Sequence, residues 1–166
     1  MITPAYVQKM AAYNSWMNDS IYAACETLSD KDRRKECGAF FKSIHGTLNH
    51  LLWGDQIWMR RFAGTPSPSA KGVADSVSQY EAFDDLKRER TDFDRVIEGW
   101  SEKVDPAWLK ETLDWHSTST GRDMSTPNWV LVTQMFNHQT HHRGQVHCML
   151  TQFNVNTPIT DLPFLP

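Results

Sequence analysis

Four separate stretches of this chain repeat apolar residues every three or four positions, and few folds can bury four such stripes at once. The first opens at Thr3-Pro4, an N-cap followed by proline at the first helical position, and carries Met10, Tyr13 or Asn14, Met17, Ile21, Ala24 and Leu28. The second runs from about Phe41 to Phe62 through Ile44, Leu48, Leu51 and Trp58, with Gly64 as its stop. The third covers about Gln79 to Trp100, with Phe83, Leu86, Phe93 and Ile97 at helical spacing. The fourth opens at Thr126-Pro127 and continues to about Phe153. At 166 residues the chain is the size of one domain, residues 1–166, and an all-α four-helix bundle buries all four stripes.

The connections read differently. Asp30 to Gly38 is charged and ends in glycine, as a connection or a frayed short turn does. Thr65 to Ser78 holds Pro66, Pro68 and Gly72 among serines, a loop that is long for a compact bundle. Between Ala107 and Asp123 the period shifts: Leu109, Glu111, Leu113 and Trp115 alternate with other side chains before Ser117-Thr118-Ser119-Thr120-Gly121. That pattern predicts a short β-hairpin before the last helix. The proline-containing tail from Asn154 to Pro166 is expected to dock back through Phe164 and Leu165.

Charge and composition exclude several classes. The net charge is −3 and the basic residues are interspersed with acids, as in Asp84 to Asp92, so the basic field that nucleic-acid binding needs is missing. No apolar run reaches the roughly 18 residues of a membrane span, and Met1 to Lys9 lacks a basic region followed by an apolar stretch. Cys25, Cys37 and Cys148 form an odd set without close pairing, which fits a reducing compartment. A cytoplasmic protein without membrane or nucleic-acid partners is expected.

The histidines carry the chemistry. A helix advances about 100° per residue. With Val132 at the centre of the fourth stripe, Phe136, Gln139, Arg143, Val146 and Leu150 fall within roughly 40° of it. His138 and His142 lie about 120° and 80° away on one shoulder, stacked four residues apart. On the second helix His50 occupies a matching shoulder, about 120° from Ile44. Two imidazoles from one helix and one from another would hold a divalent ion and leave a position open, as in catalytic zinc sites; zinc, nickel, iron and copper all suit imidazole. The competing reading is a histidine pair that is merely hydrogen-bonded at the edge of the core. His141 is expected to face solvent, His147 sits on the opposite shoulder, His45 lies about 140° from His50, and His116 falls in the hairpin. No H-E-x-x-H pattern is present, which disfavours zinc-peptidase chemistry.

Two charged residues interrupt the stripes at matching places, Asp55 in the second and Arg143 in the fourth. Buried charges need partners. The simplest expectation is that the two meet across the bundle near the histidine layer and fix helix register, with Arg143 snorkelling and Asp55 bonding to Tyr13 or Asn14 as the alternative.

These same segments resemble the DinB/YfiT-like superfamily, its DinB-type proteins in particular. The resemblance rests on Tyr13-Asn14-Ser15-Trp16-Met17-Asn18, on Ser43 to Asp55 (SIHGTLNHLLWGD) continued by Trp58, Arg60 and Phe62, and above all on Asn137 to His147 (NHQTHHRGQVH). Phe83, Leu86 and Arg90 fit the weaker third-helix pattern. The resemblance implies an up-and-down four-helix bundle, often a homodimer, with a divalent metal, zinc or nickel foremost, on His50, His138 and His142. Helices 1 and 3 are the expected dimer contact, with some of the seven tryptophans on an exposed apolar face. Superfamily relatives include thiol-dependent transferases and isomerases. The implied activity is therefore that of a metal-dependent enzyme, a small-molecule thiol transferase or a hydrolase, against a non-enzymatic metal-binding stress-response or structural protein.

Overall fold

In the computed structural model, which describes residues 1–117 and 120–166, side-chain caps open the first three helices. Thr3 accepts from the Tyr6 amide to start α1 (Pro4–Glu26), and Ser29 caps the single turn α2 (Asp30–Arg33). Ser43 accepts from the Gly46 amide to start α3 (Ile44–Ala63), which stops at Gly64, whose φ of 67° is the left-handed conformation glycine adopts without strain. A second single turn, α4 (Val73–Ser76), interrupts the long loop before α5 (Phe83–Ser101). A 3₁₀ turn (Trp108–Lys110) leads into strands β1 (Thr112–Ser117) and β2 (Arg122–Pro127), and α6 (Asn128–Thr151) follows directly. The described residues thus hold six helices, not four: the four long ones expected, plus one turn in each of two segments read as connections. In both cases the turn is too short to show apolar periodicity.

The hairpin is antiparallel, pairing Thr112 with Pro127 and Ser117 with Arg122. It extends beyond the expected Asp123, so Thr126-Pro127 ends β2 and also opens the last helix, with Pro127 as its N-cap, one residue ahead of proline's usual first helical position. Of its expected turn, Thr118 and Ser119 lie outside the described residues.

Helix α1 packs against α5 and α6, and α3 packs against the same two, so α1 and α3 face each other across a diagonal. Contacts Asn49–Tyr80 just ahead of α5, Asp55–Arg90 and Phe62–Trp100 climb together, so α3 and α5 run in the same direction. The Gly54–His138 and His50–His142 contacts run oppositely, so α3 and α6 are antiparallel. Strict up-and-down alternation is therefore replaced by a bundle in which the connection from Gly64 to Ala82 returns along the length of α3. Apolar stripes fit any neighbour of similar shape, and sequence periodicity does not choose among them.

Val7, Met17, Ile21, Leu48, Leu52, Leu86, Ile97, Val132, Phe136 and Leu150 form the buried centre. At the hairpin end Trp58, Phe62, Trp100, Trp108 and Trp115 pack ring on ring. Trp53 is buried and the other six tryptophans are half-buried. In the tail Leu165 packs against the core and the Thr160 carbonyl accepts from the Tyr13 hydroxyl, whereas Phe164 stays 65% exposed.

Candidate metal centre

Three imidazoles meet between α3 and α6. One ring nitrogen from each of His50, His138 and His142 lies within 4.8 Å of the others. His50 and His142 are buried and His138 is half-buried. The Nε2 atoms of His50 and His138 stand 3.1 Å apart, close to the roughly 3.3 Å expected between two nitrogens bound to one tetrahedral ion.

The neighbours set which nitrogen carries a lone pair. Ser76 Oγ gives its own proton to the Val73 carbonyl, so the 2.9 Å contact from His50 is an Nδ1–H donating to that hydroxyl, and His50 Nε2 is bare. His142 Nδ1 faces Gln145 Oε1 at 2.9 Å, an acceptor, which again leaves Nε2 bare. Burial and the neighbouring His138 and His142 rings push His50 down to about 3, and burial with His142 and His141 pushes His138 down to about 4. Burial lowers His142 as well. All three are neutral at pH 7, and the bare Nε2 atoms of His50 and His142 are set by their partners Ser76 and Gln145. His138 Nδ1 is buried without a hydrogen-bond partner among the described residues. The donor set is able to coordinate a divalent metal ion.

Packing holds the rings in place. Phe41 stacks on His50 with centroids 3.8 Å apart, and Trp53 flanks it. Gly54 makes room for His138: a Cβ there would come within 3.0 Å of His138 Cε1. Above the rings opens a pocket of about 780 Å³ walled by Phe41, Trp53, Trp58, Trp115 and Leu131 among others.

The second buried polar group lies deeper. Arg90 forks onto Asp94, with Nε at 3.1 Å and Nη2 at 2.8 Å, and its Nη1 donates to Asp55 at 2.9 Å. Asn18 donates to both oxygens of Asp94, and Asn14 donates to one. Arg143 donates to the side-chain oxygens of Asn14 and Asn18. The expected direct Asp55–Arg143 pair is thus not formed. Arg90, from the neighbouring α5, takes the carboxylate, and the two residues share one network of two cations and two anions. Burial still pushes Asp55 up to about 6 despite Arg90.

The remaining histidines separate cleanly. His45 is buried and bonds the Tyr80 carbonyl, and His116 pairs with Asp123 within the hairpin. His141 is exposed, as expected, yet borders the pocket and bonds Gln145. Sequence reasoning missed Ser76, Gln145 and the role of Gly54.

The sequence pattern of the DinB family matches this chain over residues 1–166. The chain belongs to the DinB family. It is 26% identical over 154 residues to Protein DinB of Bacillus subtilis (strain 168), a match covering 92% of this chain and 89% of that protein. Its fold is similar to the crystal structure of a DinB-like protein from Bacillus cereus ATCC 10987, with a TM-score of 0.62, 16% identity, and coverage of 86% of this chain and 89% of that one. No helix among the described residues is long and apolar enough to cross a membrane.

Proposed function

We propose that His50, His138 and His142 hold one divalent ion, zinc or nickel, and that the protein is a metal-dependent enzyme acting on small molecules in the adjoining pocket, best read as a thiol-dependent transferase. The observation that carries this reading is the convergence of three neutral imidazoles on one wall of an open, largely apolar cavity. When bound, such an ion lowers the pKa of a water or thiol beside it and favours the anionic nucleophile. The chain's own residues orient the ligands: Ser76 and Gln145 fix tautomers, and Phe41 and Gly54 fix ring positions. No aspartate or glutamate lines the cavity among the described residues. This favours a thiol, which ionises readily, over water, which needs a base to take its proton.

Metal analysis of protein expressed without chelators tests the site. About one ion per chain is expected, with most of it lost in His142→Ala. Equal occupancy in wild type and all three single alanine variants would sink the assignment. Turnover of small electrophiles with added thiols then tests the enzyme. A large stability loss on metal removal, with no thiol binding to the loaded protein, would favour the non-enzymatic reading instead.

A further inference from the structure

Among the described residues that line the cavity beside the histidines, one side chain is permanently charged, Arg61. Gly54, Ile57, Trp58 and Arg61 share one face of α3, and each lines this cavity. Arg61 stands roughly 10 Å along the helix axis beyond Gly54, the residue against which His138 packs. Its guanidinium lies over Trp58 at 4.6 Å and over Trp115 at 4.8 Å, two indoles from different elements that themselves meet edge to face. One hydrogen bond is drawn from it, Nη2 to the His116 carbonyl at 3.3 Å. No carboxylate among the described residues pairs with it; Arg60, Arg122 and Arg143 also lack an ion pair, but among the described residues only Arg61 of these lines the cavity. Burial lowers its pKa with no acid nearby to offset the cost.

A half-buried cation held against two aromatic rings, lining a cavity with no acid among the described residues, has no carboxylate partner among them. We propose that Arg61 is the anion-recognition residue of this pocket, pairing with a carboxylate carried on an elongated apolar substrate whose reactive end lies at the histidines. This inference rests on reading the cavity as the substrate site, but not on the ion being present. The two indoles pre-orient the guanidinium plane, so a two-oxygen acid is met by two parallel N–H donors. Between the two ends the walls are Ile57, Trp58, Val130 and Leu131, which suit a hydrocarbon or aromatic body.

Titration calorimetry with octanoate and with 1-octanol, equal in chain length and differing in charge, tests this. Wild-type protein should bind octanoate at least about tenfold more tightly than octanol. Arg61→Met should abolish that preference while leaving octanol binding unchanged, and Arg61→Lys should retain only part of it. His142→Ala, whose metal content is measured separately, should keep the preference. Absence of any preference in wild type overturns the proposal, as does a preference that survives Arg61→Met. A preference lost in His142→Ala but kept in Arg61→Met also overturns it, because the anion would then be held at the histidines. The metal assignment fails on ion content alone, so the two failures are told apart.

Discussion

Two polar groups sit inside the same bundle, and both begin on α3: His50 belongs to one and Asp55 to the other. The Arg90–Asp55–Asp94 layer closes on itself except at Asp55 Oδ1, which is buried without a hydrogen-bond partner among the described residues. Two cations face two anions, Arg90 is forked onto Asp94, and Asn14 and Asn18 take up most of the remaining donors and acceptors. The histidine layer stays open. Its rings are each held from the outside by Ser76, Gln145 or packing, and they converge beside the cavity. Burial depth does not separate the two layers; whether polar atoms find their partners within the chain does. The closed layer is built for stability and register, and the open one for a guest.

The comparison breaks most visibly at Arg90. Removing it as Arg90→Met strands Asp55 and Asp94, and roughly 3–5 kcal/mol of folding stability should be lost in urea unfolding with metal saturated, while metal content in the folded protein stays at the wild-type value. A double-mutant cycle should accordingly find stronger coupling between Asp55 and Arg90 than between Asp55 and Arg143. The reverse ranking would mean that the direct pair expected from sequence operates after all.

The open layer should respond in affinity more than in stability. Ser76→Ala and Gln145→Leu each remove the acceptor that fixes an imidazole tautomer, and metal affinity should fall about 10–100-fold in competition with a chromogenic chelator. Undiminished affinity would make both contacts incidental. Gly54→Ala is a milder probe: the added methyl meets His138 at 3.0 Å, so the ring must shift by a few tenths of an ångström. Metal binding should weaken by about tenfold, with a destabilisation at or below about 1–3 kcal/mol.

A further effect is in pH. The metal-free protein keeps His50 and His138 neutral at values well below the ordinary 6.5. The unfolded chain binds their protons first, so these histidines contribute stability above pH 6.5 that is lost as pH falls towards about 3 to 4. His50→Asn should flatten the stability–pH slope of the apo protein by about one proton over that window. An unchanged slope would show that His50 titrates normally.

Much of both layers was legible because a helix converts spacing into direction. His50, His138 and His142 were found from their shoulder positions, and Asp55 and Arg143 from charge inside an apolar stripe. Arg90 carried the same mark, lying between Leu86 and Phe93 in the third stripe, and the pairing error follows from not applying the test there. Ser76 carried no mark. It is one hydroxyl in a loop of proline, serine and glycine, and only the single turn α4 brings it to His50. Helix order was equally hidden, because stripes of Leu, Ile and Val record that a face is buried and not which neighbour buries it.

The shared direction of α3 and α5 has a kinetic consequence. Parallel helices cannot be joined by a tight turn, so the Asp55–Arg90 contact closes a 35-residue span, and the His50–His138 contact spans 88 residues. Loop-closure entropy makes such encounters late ones, after local helices and their nearest packing have formed. If these histidines hold an ion as proposed, it would bind a chain whose folding barrier is already behind it. It would slow unfolding and leave the refolding rate nearly untouched, so metal loading would act as a lock on the finished bundle and not as a template for it.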